Sequence, residues 1–183
     1  MTQVKAMFLV QQSVVKEADG HLAHRFGDVV KALAHMELVS DTGDLFYFGD
    51  VADNGLPFDM YRPPALCNRP QLGDGARLVE CLIWLANQAA PGEPYVLSIH
   101  ADMFVDDDYE LKALIDYIPN NFFVLLVPSG ALSNDTLCQE LQRSLQWRTA
   151  ASILHLVSDE PIEPTKVTDH ITTWHASVVQ PVA

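Results

Sequence analysis

The 183-residue chain carries 24 acidic and 11 basic residues, a formal net charge of −13 at pH 7, and 49% hydrophobic residues. This hydrophobic content is sufficient for one domain with an ordinary buried core. The negative charge argues against nucleic acid and anionic membranes as partners, because both are bound largely through basic residues. It favours another protein as partner, for which a basic surface would be complementary.

Cysteine use and the lack of long apolar runs indicate a cytoplasmic protein. Cys67, Cys81 and Cys138 are far apart and form no Cys-x-x-Cys pair, so neither a zinc site nor a disulfide framework is predicted. Free thiols suit a reducing compartment. Residues 1–10 lack the features of a signal peptide, and no run approaches the roughly 18 apolar residues that a membrane span needs.

The first part of the chain alternates strand and helix patterns. Val4–Val10 is an apolar run that predicts a strand. From His21 to Met36, apolar residues recur three and four positions apart, which is typical of an amphipathic helix. A polar turn over Asp41–Asp44 and a strand over Leu45–Phe48 are predicted next. The proline-rich segment that follows could contain a short edge strand near Phe58–Tyr61.

The middle of the chain contains a helix and a buried strand. Asp74 is placed to cap a helix over Gly75–Ala90. Tyr95–Ile99 is a short apolar run, as expected for a strand that helices cover on both faces. The consecutive residues Asp106–Asp108 are predicted to open a short helix, because negative charge is favourable at a helix N-terminus.

The same alternation continues towards the C-terminus. Phe122–Val127 is the most apolar predicted strand of the chain. Ser133 or Asn134 is expected to cap a helix that runs to about Trp147. A further strand is predicted over Ile153–Val157.

The alternation of strands and helices predicts one α/β domain over residues 1–183. We expect a doubly wound, mostly parallel, Rossmann-like sheet with helices on both faces, which makes three layers. Residues 160–183 are rich in Pro and Thr and are interpreted as a C-terminal extension, in which Ile171–Val179 could form an added strand.

Polar residues follow the predicted strands at the end where open α/β sheets bind ligands. Ser13 and Asp50 follow the first and second strands, His100 and Asp102 follow the central one, and Asp74 precedes a helix. The carboxylate oxygens of Asp50, Asp74 and Asp102 could hold a hard cation such as Mg²⁺. The alternative gives each residue a local role. Asp74 would be a helix cap, Asp50 a turn residue, Asp102 a solvated charge and His100 a hydrogen-bonded packing residue.

The order of elements and loops resembles a von Willebrand factor A domain over roughly residues 4–157. That family has a metal site, called MIDAS, at the carboxyl ends of the strands. Its first part is Asp-x-Ser-x-Ser after the first strand, and Gln11-Gln12-Ser13-Val14-Val15 occupies this position here. Ser13 matches, whereas Gln11 replaces the Asp and Val15 replaces the second Ser.

The other MIDAS positions differ as well. The family has a Thr before a later helix, and Asp74 stands in its place in Gly73-Asp74-Gly75. The family also has an Asp after the central strand. His100 falls at this position, and a shift of two residues would bring in Asp102. The resemblance therefore implies the fold together with a degenerate MIDAS motif.

The resemblance implies a non-enzymatic protein-interaction module that acts as a subunit or adaptor in a cytoplasmic assembly. The binding residues that it implies are Gln11, Ser13, Asp50, Asp74, His100 and Asp102. A metal, if one binds, would use Ser13, Asp74 and Asp102. No cofactor is expected, and binding of Mg²⁺ or Mn²⁺ should be weak or absent, because Gln11 is neutral and Val15 offers no oxygen.

Two other functions stay open at this point. Asp50, Asp74 and Asp102 could converge as metal ligands of a Mg- or Mn-dependent phosphoester hydrolase, for which a pair of metal ions is the usual arrangement. The chain could also be a structural subunit of a larger assembly, with an exposed apolar patch near Phe46–Phe58.

Overall fold

A six-stranded sheet forms the centre of the computed structural model, which describes residues 3–16, 20–104, 118–145 and 152–179. The strands are β1 (Val4–Gln11), β2 (Val39–Phe48), β3 (Leu56–Asp59), β4 (Tyr95–Ala101), β5 (Phe122–Pro128) and β6 (Ile153–His155). Their spatial order is β3-β2-β1-β4-β5-β6, and every neighbouring pair is parallel except β2 and β3. The predicted doubly wound, mostly parallel sheet is confirmed.

Helices cover both faces of this sheet. They are α1 (His21–Ala34), α2 (Leu78–Gln88), α3 (Asp135–Leu145) and α4 (Pro164–Val179). Side chains of α1 and α4 share one apolar cluster with the sheet, and side chains of α2 and α3 share the other. Within the described ranges, no helix is long and apolar enough to cross a membrane.

Side chains of the central strands alternate between these two clusters, as the pleat of a strand requires. On β5, Phe123 and Leu125 lie on the α1 and α4 side, while Phe122 and Val124 lie on the α2 and α3 side. Every residue of β4 and of β5 is buried. The near-continuous apolar runs of the sequence follow from this two-sided burial.

The second strand is longer than predicted, and the expected polar turn over Asp41–Asp44 is wrong. β2 begins at Val39 and runs through this polar stretch, where Thr42 and Asp44 lie opposite residues of β3. The antiparallel edge strand supplies hydrogen-bond partners to polar residues that no apolar pattern could identify. The predicted edge strand exists, but it begins at Leu56 rather than Phe58.

The strand suggested over Ile171–Val179 is also wrong, because this segment belongs to α4. Thr and Val are common in strands, which favoured that interpretation. However, Val167, Ile171 and Trp174 are four and three positions apart, and all three are buried. This is helix spacing, and Pro164 at the first position of α4 suits a helix start.

Helix starts were partly predictable. Asn134 caps α3, because its Oδ1 accepts a hydrogen bond from the Leu137 N–H at 3.1 Å. α2 begins at Leu78 rather than Gly75, and its N-cap position is Arg77, so the predicted capping role of Asp74 is wrong. The helix expected after Asp106–Asp108 lies outside the described residues.

A buried arginine connects α1 to the segment that leads into α4. Arg25 Nη2 donates to the carbonyl oxygens of Leu156 at 2.8 Å and Val157 at 3.0 Å, and Nη1 donates to that of Glu160 at 2.9 Å. Burial lowers the pKa of Arg25, and the charge of Asp135 partly opposes this effect. These bonds satisfy loop carbonyls and place the residues before α4 against α1.

We predict that Trp174→Ala lowers the free energy of unfolding by about 3–5 kcal/mol, the usual cost of removing a buried aromatic side chain. The indole is 1% exposed, and its ring centroid lies 5.6 Å from that of Phe123. Urea denaturation measures the change. Thr173→Ala on the exposed face of the same helix is the control and should change stability by less than about 0.5 kcal/mol. Equal effects would contradict the packing of α4 against the sheet.

Candidate functional site

Three of the predicted site residues meet at one edge of the sheet. Gln11 ends β1, and Asp102 directly follows β4, the neighbouring strand. The Asp102 N–H donates to Gln11 Oε1 at 2.9 Å. Gln11 Nε2 lies 3.4 Å from Asp102 Oδ2 and 3.3 Å from Ser13 Oγ. The structure therefore selects Asp102 rather than His100 as the partner of the first loop.

We refer to this region as the carboxyl edge. It comprises residues 11–15, 49–53, 72–74, 101–104 and 128–134, which follow strands β1, β2, β4 and β5 or pack against their ends. Asp102 holds two of these loops. Its Oδ1 accepts from the Phe104 N–H at 2.9 Å, and its carbonyl accepts from the Asn134 N–H at 2.7 Å.

Gln12 is a structural centre of the edge that sequence reasoning missed. Its side chain is 1% exposed, and Nε2 donates to the Gly73 carbonyl at 2.6 Å and to Asp74 Oδ1 at 3.2 Å. Its Oε1 accepts from the Arg69 N–H at 3.1 Å and from Asn68 Nδ2 at 3.3 Å. Asp74 therefore binds the second glutamine of the loop, and no sequence signal distinguished Gln12 from a solvent-exposed loop residue.

Asp50 lies against the same 72–74 segment. Its N–H donates to the Leu72 carbonyl at 2.8 Å. The backbones approach so closely that a Cβ on Gly49 would lie 2.2 Å from the Gly73 carbonyl oxygen. Gly73 has φ +84°, and a Cβ there would lie 1.9 Å from Asp50 Oδ2. Glycine is needed at both positions, and the side chain of Asp50 is exposed.

His100 does not lie with the other predicted binding residues. Its side chain is fully buried, its Nε2 lies 2.7 Å from Ser98 Oγ, and its ring contacts Phe8 and Phe26. Burial, and secondarily the charge of Arg25, lowers the pKa of His100 to about 3. The imidazole is therefore neutral at physiological pH and points into the core, so the local packing alternative describes it and the ligand role does not.

The side chains at the carboxyl edge do not fit as ligands of a MIDAS-type cation. Gln11 directs an N–H donor towards Asp102 and Ser13, where a metal ligand would have to present a lone pair. Asp74 accepts from Gln12, and Val15 has no oxygen in its side chain. In the part of the chain that is described, no three His, Cys, Asp or Glu side chains are grouped so that they could hold a metal ion.

Large apolar side chains are exposed at the same edge. Val51 follows β2, Phe104 follows β4 and Leu132 follows β5, with exposed fractions of 56%, 48% and 75%. Leu132 lies in the loop that the Asn134 N–H ties to Asp102. Exposed apolar groups beside polar ones are typical of surfaces that bind other proteins. The sequence offered no periodic signal for these loop residues.

The apolar patch expected near Phe46–Phe58 is exposed only in part. Phe46 and Phe48 are 6% and 1% exposed and belong to the core. Within this range, Val51 and Leu56 are the exposed large apolar residues. Phe46 and Phe48 belong to the apolar cluster between the sheet and helices α2 and α3. The exposed apolar surface in this range is therefore smaller than expected.

Comparison with known proteins identifies the fold. No family model and no curated protein sequence matches the chain. Several solved structures are similar to the chain. The manganese-loaded Plasmodium vivax TRAP protein is similar over 94% of this chain and 73% of its own, with a TM-score of 0.57 and 10% identity. The ArnB paralog VWA2 from Sulfolobus acidocaldarius is similar over 92% of this chain and 44% of its own, with a TM-score of 0.55 and 9% identity.

A von Willebrand factor type A protein from Catenulispora acidiphila is similar over all of this chain and 44% of its own, with a TM-score of 0.54 and 13% identity. The chain therefore has the von Willebrand factor A fold, as the resemblance implied. It spans less than half the length of the Sulfolobus and Catenulispora chains that it matches.

We predict that Gln12→Ala lowers the free energy of unfolding by about 2 kcal/mol or more, because buried polar groups lose their hydrogen-bond partner. The groups left unpaired include the Gly73 carbonyl and the Arg69 N–H. Urea denaturation measures the loss. Gln71→Ala, an exposed glutamine in the neighbouring segment, is the matched control and should change stability by less than about 0.5 kcal/mol. A loss in Gln71→Ala as large as in Gln12→Ala would contradict this assignment.

Acid should destabilise the protein through His100. Its pKa is about 3 in the folded chain, whereas the ordinary value for a histidine is 6.5. Between these values the unfolded chain binds a proton that the folded chain does not. The stabilisation that comes from the neutral imidazole is fully present above pH 6.5. As the pH falls below this value, the free energy of unfolding decreases by up to about 1.4 kcal/mol per pH unit.

His100→Gln tests this pH dependence, because the amide keeps a polar group beside Ser98 but cannot titrate. Urea unfolding of both proteins at several pH values between 7 and 4 gives the two slopes. We expect the variant to have the shallower slope, since other titrating groups are common to both proteins. Parallel slopes would show that His100 is protonated equally in the folded and unfolded chain.

Proposed function

We propose that this chain is a non-enzymatic protein–protein interaction module of von Willebrand factor A type, with an altered or absent metal site. In this proposal it acts as a subunit or adaptor in a cytoplasmic assembly. The observation that carries the proposal is the exposure of Val51, Phe104 and Leu132 at the carboxyl edge. Open α/β sheets bind their ligands at this end.

The hydrogen bonds among the polar side chains of the carboxyl edge support binding rather than catalysis. The polar side chains at its centre hydrogen-bond to each other and to loop backbone, as Gln11 does with Asp102 and Gln12 does with Gly73. The exposed apolar side chains project from loops that these bonds hold. Preorganised loops lose little conformational entropy when a partner binds, which favours affinity.

Charge indicates the kind of partner. The chain has a net charge of −13, so a partner with a basic surface would be attracted over long range and would associate faster. A second copy of the same chain would be repelled. We refer to the exposed side chains of Val51, Phe104 and Leu132 as the apolar anchors. The proposed contact therefore combines these anchors with basic groups on the partner.

The phosphoester hydrolase alternative lacks a supporting observation. It needs carboxylates grouped around metal ions about 3.5–4 Å apart. Asp74 bonds Gln12, and Asp102 bonds Gln11 and the Phe104 N–H. The side chain of Asp50 is exposed beside Gly73. We therefore propose the interaction module alone.

Charged substitutions at two of the apolar anchors should weaken partner binding. We expect Phe104→Asp and Leu132→Asp each to weaken binding by about 2 kcal/mol, or roughly 30-fold in Kd, as at interface hot spots. The full tagged chain, expressed in its native cell, is used to isolate the partner, and the variants are then compared by calorimetry. Circular dichroism checks that both variants fold.

Ile83→Asp is the matched control. Ile83 is 46% exposed, similar to Phe104. It lies on α2, which covers a face of the sheet and is not part of the carboxyl edge. It should leave binding unchanged. Recovery of no specific partner under several conditions, or equal loss of binding in the control and the two edge variants, would contradict the proposed function.

A further inference from the structure

We infer that the Gln11 amide takes the place of a bridging cation at the carboxyl edge, so that the edge keeps one conformation without metal. The inference concerns how the surface is held. It rests on the proposed function only for what that surface binds. Its basis is the set of hydrogen bonds around Gln11, which is 3% exposed.

The orientation of the amide is determined by its surroundings. Gln11 Oε1 accepts the backbone N–H of Asp102 at 2.9 Å, and an N–H donor can only be paired with an acceptor. The –NH₂ group must therefore be on the other side. There it meets Asp102 Oδ2 at 3.4 Å and Ser13 Oγ at 3.3 Å. A side-chain amide has two N–H donors, and here each has an oxygen to face.

The charge at this position explains why an amide can replace a cation. A carboxylate at position 11 would face the Asp102 carboxylate across the same gap, and like charges at that distance disfavour joint ionisation. A divalent cation between them would relieve the repulsion. The amide avoids it, because it is neutral and presents positive N–H ends to Asp102. The bridge between the loops after β1 and β4 then needs no ion.

The bridge also positions two of the apolar anchors, Phe104 and Leu132. Asp102 is the residue that Gln11 holds, and it in turn accepts from the Phe104 N–H and, through its carbonyl, from the Asn134 N–H. The loops that carry Phe104 and Leu132 are thus connected to β1 through one residue. The surface is formed before a partner arrives, and chelators should not affect it.

The test exchanges one group of atoms. Gln11→Glu keeps the shape of the side chain and converts the –NH₂ to an oxygen. We expect its melting temperature in EDTA at pH 8 to be lower than that of the wild type by at least about 4 °C. Mn²⁺ should restore most of this loss. The wild-type melting temperature should be the same in EDTA and in Mn²⁺.

The loss in Gln11→Glu should also depend on pH in a defined direction. Facing Asp102 raises the pKa of the new carboxyl group above its value in the unfolded chain. Stability is therefore retained at low pH and lost as the pH rises through the raised value. The gap between variant and wild type should be small near pH 5 and widest near pH 8.

A charge exchange covers the case in which Gln11→Glu does not fold. In the double variant Gln11→Glu/Asp102→Asn, the amide and carboxylate change places. The hydrogen bonds described above can form again, with donor and acceptor exchanged between the side chains of residues 11, 13 and 102. It should melt within about 2 °C of the wild type in EDTA and should not respond to Mn²⁺. Gln11→Ala, which removes the bridge without adding charge, should be destabilised and not restored by Mn²⁺.

Three results would overturn the inference. They are wild-type stabilisation by Mn²⁺, full stability of Gln11→Glu in EDTA, and failure of the double variant to recover stability. All readouts are melting temperatures of the isolated chain. A failure here is therefore distinct from failure of the proposed function. That failure would appear as recovery of no specific partner, or as equal loss of binding in Ile83→Asp and in the Phe104 and Leu132 variants.

Discussion

Burial of the central strands on both faces is the constraint on which the rest of the structure depends. Every residue of β4 and β5 is inside, so each polar group there needs a partner within the protein. Ser98 and His100 contact each other for this reason, and the imidazole stays neutral. Two-sided burial also removes the strands themselves from contact with ligands. Binding is left to the strand ends, where loops reach the solvent.

The carboxyl edge meets the same constraint with neutral side chains. Gln11 and Gln12 are nearly inaccessible, and each pairs an acidic side chain with the backbone of another loop. An amide can donate and accept at once, so it can connect two loops without an ion. The chain shares its fold with a manganese-loaded protein, and its own Gln11 places an N–H donor beside Asp102.

The sequence was reliable where one physical signal dominated. Apolar runs located β1, β4 and β5, because two-sided burial favours apolar residues at most of their positions. It failed where tertiary contacts overrode the local pattern. The polar start of β2 is a strand because β3 lies beside it. In α4 the Thr and Val residues favoured a strand, although Val167, Ile171 and Trp174 have helix spacing. Among site residues, Gln11, Ser13 and Asp102 were brought together, whereas His100 was not.

By itself, the sequence determined the α/β class, the central strands and the neutral residue at position 11, since these depend on composition and local spacing. Only the tertiary structure decided which of the two candidate residues, His100 or Asp102, faces Gln11. His100 and Asp102 are two residues apart, and the register of β4 beside β1, together with the direction in which the chain leaves the sheet, determines which one reaches the edge. The role of Gln12 was likewise decided by the 68–74 segment, which is distant in sequence and adjacent in space. Contacts of this kind join residues far apart in the chain, and no local pattern records them.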